Sequence, residues 1–210
     1  MIIEHLTVGP FQTNVYVVGC PETRVGVIID AGGDGPGLLR IADEHELTLD
    51  KILQTHAHID HVAALNDVLA QRDLPIHLHP HEQLYYDSAP EQASMFGLSV
   101  AALPPVTDHL HEGQVIEVGA MRAEVLLMPG HSPGSVVFYF AEQATMISGD
   151  VLFRGSIGRV DLPGSDPQQM RESLARLKKY PANTNVFPGH GPPTTLAEEL
   201  QTNPFLTQSW

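Results

Sequence analysis

The sequence contains only one cysteine, Cys20, among its 210 residues. An intrachain disulfide needs two cysteines, and thiolate zinc sites are built from several, so this chain can form neither. Any metal ion that it binds must therefore be held by nitrogen and oxygen ligands.

Positive charge is also scarce. The chain has 11 lysines and arginines against 25 acidic residues, which gives a formal net charge of −14. Nucleic acids and anionic membranes need a basic surface to bind to, so we expect no nucleic acid and no membrane as a partner. Polyanionic substrates are disfavoured for the same reason.

Long apolar runs are missing as well. No stretch approaches the roughly 20 apolar residues of a membrane span, and the start Met1-Ile2-Ile3-Glu4-His5 lacks the basic and apolar parts of a secretory signal. Apolar residues make up 42% of the chain, enough for a sizeable core. We therefore predict a cytoplasmic protein with a single domain over residues 1–210. Its oligomeric state is left open.

Glycine, proline and asparagine divide the chain into strands and helices that recur in a similar order in its two halves. Runs rich in β-branched residues predict strands at 2–8, 14–18, 25–29, 51–54, 75–79, 115–118, 123–128, 135–140, 145–148 and 185–187. Apolar periodicity predicts helices after the glycines of 32–37, at about 62–71, at 167–179 behind the N-cap Asp166, and from about 194 to Pro204. Each half thus runs strands first and a helix afterwards, which indicates an α/β fold with two sheets face to face and helices outside.

The stretch 80–112 interrupts this pattern. Four prolines, Pro80, Pro90, Pro104 and Pro105, prevent long helices there. We predict irregular structure for this stretch. It is also the leading candidate for an insertion or lid that faces the substrate.

The run Thr55-His56-Ala57-His58-Ile59-Asp60-His61 follows the predicted strand 51–54 directly. Imidazole nitrogen and carboxylate oxygen are ligands for zinc and other first-row divalent ions. The spacing of His56 and His58 lets both reach the same side of an extended segment, whereas Asp60 and His61 come after the chain has begun to turn. One short loop can therefore serve two neighbouring metals.

Three later strands also end in a glycine and a ligand-type residue. Gly130-His131, Gly149-Asp150 and Gly189-His190 each follow an apolar strand, and glycine lets the backbone bend sharply there. Four strand ends should therefore converge on one edge of the sheets. They bring together seven candidate ligands, namely His56, His58, Asp60, His61, His131, Asp150 and His190.

Seven ligands suit two metals better than one. In the simplest division, the first metal takes His56, His58 and His131, the second takes Asp60, His61 and His190, and Asp150 bridges them with its two oxygens. A hydroxide shared by cations about 3.5–4 Å apart forms near about pH 7 and is a nucleophile. The predicted cofactor is two divalent ions, zinc first, with iron or manganese accepted by the same ligands.

The remaining histidines lack this spacing. We expect structural or surface roles for His5, His45, His77, His79, His81, His109 and His111. The glycines of 32–37 lack the Gly-Lys-Ser/Thr ending of a phosphate-binding loop and predict a turn from strand to helix.

The order of the candidate ligands resembles the metallo-β-lactamase superfamily, with its His-x-His-x-Asp-His, Gly-His, Gly-Asp and final Gly-His. The resemblance covers essentially the whole chain and implies an αββα sandwich of two mixed sheets, with a binuclear site made by the same seven residues. Five segments further resemble the glyoxalase II (hydroxyacylglutathione hydrolase) branch in its short bacterial form without the C-terminal helical domain, namely 129–134, 148–153, 158–159, 187–192 and 203–206.

That branch implies a metal-dependent thioesterase for S-acylglutathione or a similar small thioester, with Asp60 orienting the hydroxide. Arg159 and Asp161 stand where the family has a lysine and a tyrosine that contact glutathione. Arg159 can still hold a carboxylate, but Asp161 cannot replace a phenol that faces an anion. The predicted partner is a small-molecule thioester, with Arg159 as a substrate-binding residue.

Two alternatives remain. The run Gly158-Arg159-Val160-Asp161 also resembles persulfide dioxygenases, in which His56, His131 and Asp150 would hold a single iron. His190 favours the hydrolase, because a mono-iron enzyme would not need this ligand. The other alternative is a metal-binding domain without turnover, against which the complete ligand set speaks.

Overall fold

The computed structural model describes residues 1–208 and 210. Contacts within the chain group it into two compact units, one formed by Met1–Leu110 with Glu117–Met121 and the other by His111–Ile116 with Arg122–Trp210. A single domain over the whole chain stays a prediction. No helix in the described part is long and apolar enough to cross a membrane.

The first unit is built around a six-stranded mixed sheet in which sequence neighbours are also spatial neighbours. Its strands are β1 (Ile2–Val8), β2 (Thr13–Gly19), β3 (Val25–Ile29), β4 (Thr48–Leu53), β5 (Ile76–Leu78) and β6 (Asp108–His109). The β1–β2 and β2–β3 pairs are antiparallel, and β3 to β6 run parallel. Every residue of β2, which lies between β1 and β3, is buried.

Short helices surround this sheet. They are α1 (Gly35–Glu44), α2 (Ile59–Val62), α3 (Leu65–Leu69), a 3₁₀ turn (Pro80–Glu82), α4 (Gln83–Asp87) and α5 (Ala89–Met95). The apolar stripe of α1 is buried, including Leu38, Leu39 and Ile41, and its N-cap Asp34 accepts a hydrogen bond from the Gly37 amide at 3.1 Å. The predicted turn from strand to helix is therefore present.

The other six-stranded mixed sheet, in the order β14-β13-β10-β9-β8-β7, belongs mostly to the second unit. Its strands are β7 (Val115–Val118), β8 (Met121–Leu127), β9 (Val136–Phe140), β10 (Thr145–Gly149), β13 (Asn185–Pro188) and β14 (Thr194–Thr195), and β11 (Leu152–Phe153) and β12 (Ser156–Ile157) form a separate hairpin. Its helices are α6 (Pro167–Leu177), α7 (Leu196–Thr202) and α8 (Pro204–Thr207), with a 3₁₀ turn at Ala141–Gln143. The prediction of two mixed sheets with helices is confirmed.

Two local predictions differ from the structure. The helix predicted at about 62–71 begins earlier and is broken into α2 and α3, because the Ala64 amide donates to the Ala31 carbonyl at 2.8 Å and leaves the helical ladder. The stretch 80–112 is less irregular than predicted at its start. Pro80 and Pro90 lie in the first turns of short helices, where the missing amide is harmless.

The predicted N-cap of α6 is confirmed and has a measurable effect. The Asp166 carboxylate accepts from the Gln168 and Gln169 amides at 2.8 and 3.1 Å, and these hydrogen bonds, that from Gln169 first, lower its pKa. A lowered folded pKa stabilises the protein above the unfolded value of about 3.9 and stops doing so as the pH falls through the folded value.

We therefore expect Asp166→Ala to lower the thermal unfolding midpoint at pH 7, and Asp166→Asn, which keeps an acceptor, to lower it less. The difference between wild type and the alanine variant should shrink at pH 3. Thermal circular dichroism measures both, and equal midpoints for all three proteins at pH 7 would contradict the capping role.

Candidate metal centre

The parallel strands of the first unit place its ligand-type residues at one sheet edge. Strands β3, β4 and β5 run in the same direction, so their carboxyl ends meet at the same edge. Asp30 follows β3, and the histidine loop 54–61, which we also call the ligand loop, follows β4. The sequence predicted this convergence for the histidine loop but not for Asp30.

The four candidate ligands of the histidine loop lie close together. His56 and His61 are fully buried, and their ring centroids are 4.1 Å apart. The His58 ring lies 4.8 Å from that of His56 in an edge-to-face contact. His61 Nε2 is 3.5 Å from Asp60 Oδ2. His58 and Asp60 are only partly buried, so this end of the cluster can meet solvent or a ligand.

Asp30 organises this loop from beneath. Its buried carboxylate accepts hydrogen bonds from the Thr55 amide at 2.7 Å, from the Thr55 hydroxyl at 2.8 Å and from His61 Nδ1 at 2.9 Å. The backbone of Asp30 has a φ of 61°, a left-handed conformation that costs a residue with a β-carbon about 1 kcal/mol or more. Three hydrogen bonds to one carboxylate offset that cost and the cost of burying its charge.

These hydrogen bonds also set which ring nitrogens carry protons. His61 Nδ1 must donate to Asp30, because a carboxylate only accepts. The Thr55 hydroxyl gives its single proton to Asp30, so His56 Nδ1, which lies 3.0 Å from that hydroxyl, must donate to it. Both rings are thereby held with the lone pair on Nε2. A metal-binding histidine needs this tautomer, and a partner for its other nitrogen normally secures it.

A second set of polar contacts reaches the loop from the stretch that the sequence marked as irregular. The Glu82 carboxylate, fully buried, accepts from the Ala57 amide at 2.9 Å, and the Gln92 side chain accepts from the Ile59 amide at 3.2 Å. Ala57 and Ile59 are the two neighbours of His58 in the chain. The helical stretch after β5 thus fixes the backbone on either side of His58.

Gly32 allows the loop to approach the strand ends. A β-carbon at Gly32 would lie 1.8 Å from the Asp60 carbonyl oxygen, which no side chain can tolerate. The glycine therefore serves close packing beneath the ligand loop and not phosphate binding.

The second unit gathers its three candidate ligands by the same means. Strand β8 is antiparallel to β9, β9 is antiparallel to β10, and β10 is parallel to β13, so β8, β10 and β13 share a direction. Their carboxyl ends lead into His131, Asp150 and His190 respectively.

The distances among these three residues are those of neighbouring metal ligands. His131 Nε2 and His190 Nε2 each lie 3.4 Å from Asp150 Oδ2. Two ligands held about 2.1 Å from a tetrahedral metal lie about 3.4 Å apart. The same carboxylate oxygen, Asp150 Oδ2, therefore faces both histidines.

His131 is oriented by backbone contacts. Its Nδ1 donates to the Arg159 carbonyl at 2.9 Å, which leaves the lone pair on Nε2, and its own carbonyl accepts from the Ser165 hydroxyl at 2.7 Å. Gly158 makes room for this arrangement, because a β-carbon there would lie 1.9 Å from the Asp150 carbonyl oxygen and 3.0 Å from His131 Nδ1.

The chemistry of the donor set fits divalent metal ions. All seven candidates offer imidazole nitrogen or carboxylate oxygen, and each belongs to a group of such atoms close enough together to hold an ion. Among the described residues, no such group includes any of the other histidines, namely His5, His45, His77, His79, His81, His109 and His111.

Arg159, the predicted substrate-binding residue, already has a partner. Its guanidinium donates two hydrogen bonds to Asp161, at 2.7 and 2.9 Å, and both side chains are exposed. These hydrogen bonds raise the pKa of Arg159 and lower the pKa of Asp161. A substrate carboxylate would have to compete with Asp161 for this guanidinium.

Sequence reasoning missed three residues that hold the ligand loop. Asp30 could have been found, because this ligand-type residue directly follows the predicted strand 25–29 and has a glycine, Gly32, close by. Glu82 and Gln92 carry no such signal, since they lie 25 and 33 residues from the amides that they bind.

The fold and the ligand pattern identify a class of protein. The metallo-β-lactamase superfamily model matches residues 8–190, and the chain belongs to this family. The predicted fold of the metallo-β-lactamase type is thereby confirmed. The protein is a metallo-hydrolase or a related metal enzyme.

Relatives and solved structures match nearly the whole chain. The probable metallo-hydrolase YqgX of Bacillus subtilis is 40% identical over 205 residues, covering 96% of this chain and 95% of its own. Hydroxyacylglutathione hydrolase GloC of Haemophilus influenzae is 35% identical over 210 residues, covering 98% of both chains.

Among solved structures, TTHA1623 in a di-iron-bound form is 45% identical with a TM-score of 0.89, covering 97% of this chain and 100% of its own. The B3 metallo-β-lactamase BLEG-1 is 36% identical with a TM-score of 0.91, covering 99% of this chain and 100% of its own. These similar proteins thus differ in the metals and activities that their names carry.

Removal of the Asp30 carboxylate should weaken metal binding. Asp30→Ala leaves His61 Nδ1 and the Thr55 hydroxyl without their acceptor, so we expect affinity for divalent metal to fall by about 10–100-fold. The surface variant Asp43→Ala, which loses only an exposed pairing with Arg72 at 3.3 Å, is the matched control. Competition with a chromophoric chelator measures the affinity, and circular dichroism checks that the variant is folded. Wild-type affinity in a folded Asp30→Ala protein would rule out the orienting role.

Proposed function

We propose that the seven candidate ligands hold two divalent cations in a binuclear centre. His56, His58 and His131 bind one ion, Asp60, His61 and His190 bind the other, and Asp150 bridges them. The family pattern, the buried donors and the ring tautomers fixed by Asp30 and the Arg159 carbonyl support this assignment. Zinc, iron and manganese all suit these donors, and the di-iron-bound form of the similar protein TTHA1623 supports iron among them.

The bound cations would supply a water of lowered pKa and a Lewis acid for a carbonyl oxygen. The chain's own residues do the positioning. Asp60 is held by the Thr13 hydroxyl, which donates to its Oδ2 at 2.7 Å, and its remaining lone pairs can accept a proton from a nucleophilic water. Its partial exposure next to buried His61 suits a residue that both binds metal and meets substrate.

The reaction that this site supports best is hydrolysis of S-acylglutathione or a similar small thioester. The observation that carries it is the complete set of seven nitrogen and oxygen ligands in a chain that is 35% identical to hydroxyacylglutathione hydrolase GloC over nearly its whole length. A metal-dependent hydrolase needs no covalent nucleophile from the protein, and all seven candidate ligands are histidine or aspartate.

Metal analysis combined with thioester hydrolysis tests this function. We expect about two metal ions per chain and turnover of S-lactoylglutathione or simpler thioesters that is lost on chelation and restored by metal. One iron per chain with thiol-dependent oxygen uptake would instead establish the mono-iron dioxygenase. Full metal loading without hydrolysis of a panel of thioesters, phosphoesters and lactones would leave a metal-binding domain.

Asp60 is the most informative single residue for the mechanism. Asp60→Asn keeps an oxygen that can accept from Thr13 but loses the charge, so we expect kcat to fall by about 10²-fold or more while the protein stays folded. The exposed variant Asp43→Ala should keep wild-type kcat. Rates are to be compared at measured, equal metal content, and wild-type turnover of metal-loaded Asp60→Asn would refute the role of Asp60.

A further inference from the structure

The first unit carries an unusual concentration of exposed apolar side chains beside the ligand loop. Among the described residues, four large hydrophobic side chains are exposed, and three of them lie within 13 residues of one another. These are Leu84, Met95 and Phe96, at 74%, 80% and 55% exposure. Exposed apolar residues that are grouped together commonly mark a binding site, whereas single exposed apolar residues do not.

One aromatic contact connects this stretch to a proposed metal ligand, and a second connects it to Phe11. The Tyr85 ring meets the His58 ring edge to face, with centroids 6.2 Å apart. The Phe96 ring meets Phe11 edge to face at 5.0 Å. Phe11 lies two residues before Thr13, whose hydroxyl donates to Asp60 Oδ2. We name Phe11, Tyr85 and Phe96 the aromatic rim.

The rim is attached firmly to the ligand loop. Gln92 accepts from the Ile59 amide at 3.2 Å and donates to the Tyr85 carbonyl at 2.6 Å, so one side chain ties the loop to the backbone of the rim. Because the Tyr85 ring contacts the His58 ring, a molecule bound near His58 would meet aromatic surface.

The stretch that carries Tyr85 and Phe96 has no basic side chain of its own. Residues 80–107 contain no lysine or arginine but three acidic residues, Glu82, Asp87 and Glu91. Each of the four basic side chains of the first unit contacts a carbonyl or carboxylate outside the rim. Arg24 donates to the His45 carbonyl, Arg40 pairs with Glu44, Lys51 with Asp50 and Arg72 with Asp43. Within this part of the first unit, an anionic group would therefore meet aromatic rings and like charge.

We propose that the aromatic rim receives an uncharged, apolar group of the substrate, so that neutral thioesters are preferred over conjugates of the anionic thiol glutathione. This inference rests on the proposed thioesterase function and narrows its substrate class. Apolar burial against the rim supplies the affinity, and the lack of basic side chains in 80–107 disfavours an anionic glutathione conjugate there. The exposed Arg159–Asp161 pair agrees with this selectivity, since its guanidinium already has a carboxylate.

Two thioesters that share an acetyl group test the proposal on the metal-loaded protein. S-benzyl thioacetate is neutral and aromatic, and S-acetylglutathione is anionic. For Phe96→Ser we expect kcat/KM on the benzyl compound to fall about tenfold, with less than about a twofold change on the glutathione compound. Phe96→Lys should lower the first and raise the second. Comparing each variant with wild type cancels the intrinsic reactivity of the two compounds.

Val115→Ser is the matched control, because Val115 is 54% exposed and lies in β7, outside the rim. It should leave both substrates unchanged. Equal changes on both substrates in Phe96→Ser, or a change in sedimentation with no change in selectivity, would overturn the proposal, and the second result would assign the surface to self-association.

Binding of two compounds that cannot be hydrolysed separates this proposal from the thioesterase itself. Calorimetry should detect benzyl methyl sulfide binding more tightly than S-methylglutathione, with the preference lost in Phe96→Ser. That result without turnover of either thioester would refute the thioesterase and keep the rim. Turnover without any preference that depends on Phe96 would refute the rim and keep the thioesterase.

Discussion

The buried carboxylate of Asp30 is the constraint on which the ligand loop depends. A carboxylate removed from water is costly unless donors surround it, and three donors from Thr55 and His61 do so here. The same hydrogen bonds fix the tautomers of His61 directly and of His56 through the Thr55 hydroxyl. The contacts that make the buried charge tolerable therefore also orient two candidate metal ligands. Structure and chemistry are thus coupled through one side chain.

Much of this arrangement was predictable from the sequence because it follows from strand direction. Apolar runs that end in glycine and a ligand-type residue located His131, Asp150 and His190 after strand ends, and the ten predicted strands lie within a few residues of their predicted bounds. The break between α2 and α3 was not predictable, since Ala64 leaves the helix for a hydrogen bond to Ala31, a partner 33 residues away in the chain. Local periodicity carries no information on such a contact.

The clamp on the loop backbone was equally hidden. Glu82 and Gln92 resemble ordinary surface residues of short helices in the sequence, and only tertiary packing turns them toward Ala57 and Ile59. The prolines of the stretch 80–112 exclude long helices and predict an insertion or lid there. In the structure its inner side supports the ligand loop, while its outer side presents apolar surface. Loop support and exposed apolar surface are therefore carried by the same short segment.

The two close approaches at Gly32 and Gly158 determine how such a protein can vary. At each position the nearest carbonyl oxygen would lie less than 2 Å from any added β-carbon, so nineteen of the twenty amino acids are excluded by volume alone. Most surface positions accept many residues without consequence. Tolerance to random mutation is thus very uneven along this chain, and its least tolerant positions include two residues that touch neither metal nor substrate through a side chain. A survey of natural variants would record them as invariant without any chemistry of their own.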